Sequence, residues 1–428
     1  MQPRNKIAVI GGGVAGIVSA YILSREHDVT LIEANDYVGG HTNTITIPNG
    51  PDEGTPVDTG FIVLNDKNYP NFRKFLGQLG VETRKSEMSF SFFCRDSGLA
   101  YSSHFPNGLF AQRRNLFNPE FLQMLRDIVR FNKEATADLR GGRLNGHTLG
   151  EYLAENNYST PYIEQHLAPC AAAIWSTPAS EVLEFPVESF LRFYDNHGLL
   201  QLSRRPQWFT VAGGSQSYVR AFLKEFPGTV LINSPVQAVS RAANSVQVML
   251  KGRSPLIFDK VVIAAHADQA LRMLADPSPE ERRLLGPWRY HKNHTVLHTH
   301  SDTMSPNRRV WSSWNYIRAG GEQQAAVKTI DRPVSVAYYM NRLQGLQTQR
   351  EYFVSLNDPD PIPDEQIITE IMYTHPHYSF ESLATQRELP LLNGPRNTYF
   401  CGSYFGFGFH EDAVRSAVQV GQAFGLEL

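Results

Sequence analysis

Cysteine is scarce in this 428-residue chain. Cys94, Cys170 and Cys401 lie far apart with no C-x-x-C spacing, which excludes a disulfide framework and a thiolate metal site and fits a reducing, cytoplasmic location. An excess of one charge is lacking as well: 40 Lys and Arg stand against 42 Asp and Glu, a net of −2, so there is no electrostatic case for a nucleic-acid partner. No run of about eighteen apolar residues occurs outside the glycine-interrupted start, and no membrane-spanning helix is expected. Four histidines, His291, His294, His298 and His300, bunch together. His298 and His300 would share one strand face, but no cysteine or carboxylate cluster accompanies them in the segment, so no metal is expected. Aromatic surface is what the chain has in quantity. Its 18 Tyr and 25 Phe suggest large apolar contacts or a roomy apolar pocket, and leave peripheral contact with a membrane open. The length is too great for one compact core, so two domains are expected.

The opening stretch, Lys6 to Glu33, carries the most information. A β-branched run, Ile7 to Ile10, ends in Gly11, Gly13 and Gly16 at the G-x-G-x-x-G spacing; Val14, Ile17, Val18, Tyr21 and Ile22 then follow a helical period, and Val29 to Ile32 reads as a second strand closing on Glu33. Three glycines alone would be weak evidence. With strand, helix and acid in place they form a βαβ unit for a dinucleotide: Gly11 for the turn, Gly13 for approach of a pyrophosphate, Gly16 for close packing, and the helix N-terminus facing the phosphates. Glu33 would accept from a ribose and would repel a 2′-phosphate. Arg4 and Lys6 ahead of an apolar stretch also resemble a secretory leader, but Gly11-Gly12-Gly13 breaks an h-region and the pattern runs on to Glu33, so export is not expected.

Further along, Gly39-Gly40 and Gly60-Phe61 read as close-approach positions in a hairpin with alternating Thr42, Thr44 and Thr46. A helix follows from Tyr69 to Gly80, then alternating strands. Asn118 caps a long amphipathic helix with Phe121, Leu122, Leu125, Ile128, Val129 and Phe131 mostly on one side, and Thr148 with Glu151 makes a capping box. Residues 118 to 200 are expected to be mainly helical, an insertion. WFTVAGG at 208 to 214 and the Val261–Ala265 strand return to α/β, Thr295 to Met340 reads as antiparallel, and the last forty residues give a strand to Cys401, a loop with Gly402, Gly406 and Gly408, and a helix from about Glu411 to Phe424.

With GGGVAG, Glu33, Gly39-Gly40, VDTG, WFTVAGG, VVIAAHADQAL and CGSYFGFGFHEDAVRS in this order, the whole chain resembles the flavin-containing amine oxidase and phytoene desaturase superfamily. WNYIR at 314 to 318 and YYMNRLQ at 338 to 344 make it most similar to bacterial oxidoreductases associated with cyclopropane fatty-acid synthases. The resemblance implies an α/β fold: an interrupted, doubly wound FAD-binding domain (1–85, 206–280 and 395–428) with an inserted α+β substrate domain (86–205 and 281–394). It implies non-covalent FAD, with Gly11, Gly13, Ala15 and Gly16 at the pyrophosphate and Glu33 at the adenosine ribose. Gly39, Gly40, His41 and Thr42 would line the flavin side, with Gly60 and Phe61 near the ring and Val236 at adenine. Gly402, Gly408, His410, Glu411 and Ala413 would hold the ribityl chain and ring. His41 stands where the family usually has an arginine, and Cys401 precedes the loop inside a strand, so covalent attachment is not expected.

No dedicated acid or base is legible. The candidates for a catalytic polar group are His410, Tyr316 and Asn341, the last two among strand aromatics and amides (Trp311, Trp314, Asn315, Tyr338, Tyr339) of which half would fill core. Glu411 and Asp412 would complement their own helix N-terminus. Arginine pairs at 113–114, 204–205, 282–283 and 308–309 could meet anionic headgroups or a carboxylate. The leading expectation is hydride transfer between flavin N5 and a small apolar or lipid substrate, with a fatty-acyl chain foremost. The alternatives are amine oxidation, and a non-catalytic flavin- or lipid-binding partner of a lipid methyltransferase.

Overall fold

A computed structural model describes residues 4–142, 144, 146–175, 178–201, 206–320, 334–358 and 360–428. The opening run forms a strand at Lys6–Ile10, and because it is apolar on both faces it sits inside a sheet. Asp28–Ile32 pairs with it in parallel on one side and Lys260–Ile263 on the other; Thr229–Leu231 and Thr398–Phe400 complete a five-stranded parallel sheet. Strands drawn from such distant parts of the chain require two long excursions. The helix Val14–Leu23 is buried along nine of its ten residues, packed between this sheet and the terminal helix His410–Ala423. An apolar helix of that kind has no solvent face to present.

A three-stranded antiparallel meander, Val236–Arg241, Val246–Leu250 and Leu256–Phe258, leans on the sheet. Its first strand ends on Arg241, whose fully buried guanidinium meets Glu281 Oε2 at 2.9 Å and Asp276 Oδ1 at 2.9 Å. Arg241→Met removes the cation and leaves the Glu281 carboxylate buried. The expected loss is about 3–5 kcal/mol in urea unfolding, most of it restored when Glu281 is also replaced by Met.

The second layer is a seven-stranded sheet in the order 367–377, 289–298, 353–356, 334–339, 314–318, 90–94, 100–102. It is antiparallel except at one ladder: Trp314–Arg318 runs parallel to Phe90–Cys94, Trp314 opposite Phe90. Within Thr295–Met340 the strands 314–318 and 334–339 pair antiparallel as expected; the parallel ladder joins 314–318 to a strand from far earlier in the chain, with no hairpin between them. The WFTVAGG strand, Trp208–Val211, does not enter the parallel sheet either; it pairs with Val63–Asn65 and Thr83–Ser86 in a small separate sheet.

The helical layer forms where expected. Asn118 accepts from the N–H groups of Glu120 and Phe121 to start Pro119–Gly141, which Gly142 ends at φ +68. The Thr148–Glu151 box starts Leu149–Glu155, and Val187–Asn196 follows Pro186. His298 and His300 do not share a strand face: His298 ends the strand, buried against Ser355 Oγ at 2.8 Å, and His300 lies beyond it, 2.8 Å from Gln366. Among the described residues no helix is long and apolar enough to cross a membrane.

Candidate functional site

The glycine-rich segments converge on one cavity of about 1780 Å³, larger than the roughly 300–1,000 Å³ of an ordinary ligand pocket. Its first wall is built at the carboxyl ends of the parallel strands, where open α/β sheets bind ligands. Gly11 takes φ +103, and a Cβ there would lie 2.5 Å from the Ala264 carbonyl oxygen; one on Gly16 would lie 1.8 Å from the Gly11 oxygen. Gly13 differs: its φ of −70 suits any residue and nothing stands within 4 Å of its missing Cβ. The protein's own packing does not need a glycine at that position, whereas a ligand approaching the helix N-terminus does. That terminus carries no acidic residue in its first turn, so its partial positive charge is free for an anion.

Glu33 is buried at the end of its strand. Oε2 accepts from Gly12 N–H at 2.6 Å and Oε1 from Asn35 N–H at 2.8 Å, which fixes the carboxylate while each oxygen keeps lone-pair capacity for a hydroxyl. Gly39 and Gly40 abut the first loop, Gly39 N–H donating to the Gly12 oxygen at 2.8 Å. With Ala15, Val236, Gly60, Phe61, Gly402, Gly408, His410 and Ala413 they line the cavity as expected. Gly16 lies behind the wall, serving the helix–loop contact. Thr42 is also behind it, fully buried, its Oγ1 2.6 Å from Tyr218 Oη.

His41 replaces the family's arginine with a neutral group. Its buried ring stacks on Tyr373 at 4.9 Å and lies 5.2 Å from His375 and 6.3 Å from His266; Nε2 has no partner. Burial holds His41 well below the usual imidazole range, and burial lowers His266 and puts His375 at about 4. An orphaned nitrogen beside the glycine loops is what a phosphate or ribityl oxygen would satisfy. This first wall therefore fits FAD. Burial also pushes the Cys401 thiol, 3.5 Å from Ser19 Oγ, up to about 12, so no thiolate is available for covalent attachment.

His410 lies flat on Phe61, centroids 3.6 Å apart and planes 9° from parallel, with Nε2 3.0 Å from Tyr218 Oη and 3.3 Å from Thr42 Oγ1. Burial lowers it to about 3, so it is a fixed neutral ring at neutral pH and exchanges no proton there. Three expectations need correction. Glu411 does not line the cavity: it accepts from the N–H groups of Asn71 and Phe72 at 3.0 and 2.9 Å and so caps the helix Pro70–Gln78. Only Asp412 serves its own terminus, accepting from Phe407 and Phe409 N–H. Tyr316 is buried against Phe92, 5.9 Å away, and Asn341 organises a loop, bonding Thr348 Oγ1, the Arg350 oxygen and Tyr352 N–H. Neither lines the cavity: Tyr316 packs farther along its strand against Phe92, and Asn341 is taken up by its own loop.

The second wall comes from the helical layer, the seven-stranded sheet and, through Trp208, the small separate sheet: Phe90, Leu125, Ile128, Cys170, Ile174, Tyr194, Trp314 and Tyr338 line it with Met88. Val129, expected on the buried helix face, is 55% exposed at this rim, as is Phe105 at 79%. Trp314 Nε1 and Tyr194 Oη are buried here without a partner. Sequence reasoning missed Tyr194, His266 and His375. His266 had a readable signal, its place just past a buried parallel strand, while Tyr194 and His375 had none. Of the arginine pairs, Arg283 and Arg308 are engaged with Glu388 and Glu351, and Arg204-Arg205 lies outside the described residues.

The family model for flavin containing amine oxidoreductases matches residues 14–296. An L-amino-acid oxidase of Siganus canaliculatus is 26% identical over 360 residues, 79% of this chain and 62% of that protein, so the chain spans about three-fifths of that relative. Putrescine oxidase bound to putrescine shares the fold with a TM-score of 0.70 at 14% identity over 99% of both chains. A CLA-producing fatty acid isomerase from P. acnes does so at 0.67 and 17% over 98% of both.

Proposed function

The chain belongs to the flavin-containing amine oxidoreductase family, and from that premise we propose that it is an FAD-dependent oxidoreductase whose substrate is an uncharged apolar chain, a fatty-acyl group foremost. One observation carries this. Among the described residues of the second wall no fixed cation occurs, and its two carboxylates, Glu87 and Glu370, are already met, Glu87 by His104 at 2.6 Å and Arg342 at 3.1 Å and Glu370 by His294 at 3.2 Å. A zwitterionic amino acid or a diamine would enter that wall without a free counter-charge, at a desolvation cost nothing there offsets. An acyl chain meets Phe90, Leu125, Ile128, Ile174 and Trp208, and exposed Phe105 and Val129 give it an apolar mouth. The WNYIR and YYMNRLQ segments support the same reading.

When bound, FAD supplies a two-electron hydride acceptor and donor at N5. The Val14–Leu23 helix terminus binds its pyrophosphate, Glu33 orients a ribose, and the Phe61–His410 pair forms a rigid floor. These roles go with a division into an FAD-binding part (1–85, 206–280, 395–428) and a substrate part (86–205, 281–394). Trp314 Nε1–H and the Tyr194 hydroxyl, which burial keeps protonated, donate to a substrate carbonyl. Catalysis then rests on positioning and water exclusion.

Anaerobic mixing tests this: acyl thioesters or phospholipids are expected to bleach the bound flavin, and L-amino acids and putrescine to leave it yellow. The reverse pattern would overturn the proposal in favour of amine oxidation. Trp314→Phe keeps the ring and loses the donor; flavin content should hold while bleaching by acyl substrate slows about tenfold.

A further inference from the structure

Away from the cavity, three polar side chains from separate parts of the chain point at one spot. His291 lies in the strand Arg289–His298 and His377 ends the edge strand Ile367–His377. The ladder sets His291 opposite His375, and His377 is two residues on, so both rings project from the same face as diagonal neighbours. Glu181, in the short helix Ala179–Val182 of the helical layer, reaches down to them.

His291 Nε2 stands 3.0 Å from His377 Nδ1 and 3.0 Å from Glu181 Oε2, and His377 Nδ1 stands 3.3 Å from the same oxygen. The rings are nearly perpendicular, at 82°, so two lone-pair directions and a carboxylate oxygen meet at a point rather than in a line. Glu181 Oε2 is shut off from solvent and faces both ring nitrogens. Donor atoms held 2.0–2.1 Å from a tetrahedral zinc stand about 3.3 Å apart, close to the triangle seen here.

We propose that Glu181, His291 and His377 form a divalent-metal site of the zinc class, with water as fourth ligand, that ties the helical layer to the edge of the seven-stranded sheet. The charge balance suits a cation: Glu181 contributes one negative charge and Glu381 another within range of His377. The segment from 291 to 300 gave no such signal because two of the three ligands lie 110 and 86 residues away in sequence.

The test uses the FAD-loaded protein, stripped with EDTA and dialysed. Titration with Zn²⁺ should show one ion per chain and a higher thermal midpoint, and Co²⁺ should give tetrahedral visible bands on the long-wavelength side of the flavin. His377→Ala and Glu181→Gln should each weaken Zn²⁺ by more than the roughly tenfold that loss of an outer-shell partner costs. His294→Ala, which touches only the exposed Glu370 pair, should not. Retained flavin absorbance shows that each variant is folded, and the Co²⁺ bands of the unmutated protein stand independently of the variants. Absence of saturable 1:1 binding, octahedral Co²⁺ only, or equal affinity in all variants overturns the proposal and leaves a hydrogen-bonded Glu–His–His cluster.

Discussion

A Gly13→Glu chain is expected to fold, unfold at the urea midpoint of flavin-stripped wild type within about 0.5 kcal/mol, and purify colourless. The backbone at Gly13 is extended, φ −70 and ψ 178, and the space where a Cβ would point is open to 4 Å, so the new side chain meets only the cavity. There it occupies the approach to the helix N-terminus and sets a carboxylate where the pyrophosphate charge would bind; both the volume and the repulsion oppose FAD. Gly16→Ala should give the opposite dissociation. Its methyl would overlap the Gly11 carbonyl oxygen at 1.8 Å, a backbone clash inside an almost wholly buried helix, costing about 3 kcal/mol or more and lowering the midpoint whether or not flavin is present. Absorbance at the flavin bands and a urea melt on the two variants check both halves. A yellow, full-affinity Gly13→Glu protein would show that the open side of this glycine faces no phosphate.

The same contrast explains what could be read from the chain. Residues whose role is fixed by local geometry were legible: Gly11, Gly13 and Gly16, the Asn118 cap, the Thr148–Glu151 box, and Glu33 at its strand end each depend on neighbours within a few residues. Residues whose role depends on which way an element faces were not. Glu411 sits in the first turn of a helix, where a carboxylate ordinarily serves its own terminus, yet the chain packs Pro70–Gln78 against it and that helix takes the carboxylate. Tyr316 and Trp314 share one face of a strand, two residues apart, and only the position along the strand decides that Trp314 lines the cavity while Tyr316 stacks on Phe92. Most of the glycines named by the resemblance lie on the cavity wall, where backbone approach is set by local geometry, whereas Glu411 does not, because its side-chain direction depends on what packs against it.

The buried histidines give the chain a steep acid limit. Burial places His298 and His410 at about 3 and His197 and His375 at about 4, against an ordinary value of 6.5, and it lowers His41 and His266 as well. A depressed folded-state pKa means that between about pH 6.5 and 4 the unfolded chain binds protons the folded one refuses, so the stability present above pH 6.5 is lost as pH falls. Each such group contributes about 1.4 kcal/mol per pH unit. Carboxylates oppose this. Asp58, raised to about 6 by burial, and Glu411, Asp412 and Asp358, raised for the same reason, are protonated first in the folded state and stabilise it as pH drops through that range. With His27 and His377 lowered too, the depressed histidines outnumber these carboxylates, so a net loss of stability is expected as pH falls below about 6.5. Urea midpoints of the FAD-loaded protein from pH 7.5 to 4.5 should therefore fall steadily from about 6.5 downward. His298→Gln, which keeps a polar partner for Ser355 and lies outside the cavity lining, should flatten the slope by about 1.4 kcal/mol per pH unit without altering flavin content. An unchanged slope in that variant would mean that His298 titrates normally in the folded protein, and with it the account of the acid limit would fail.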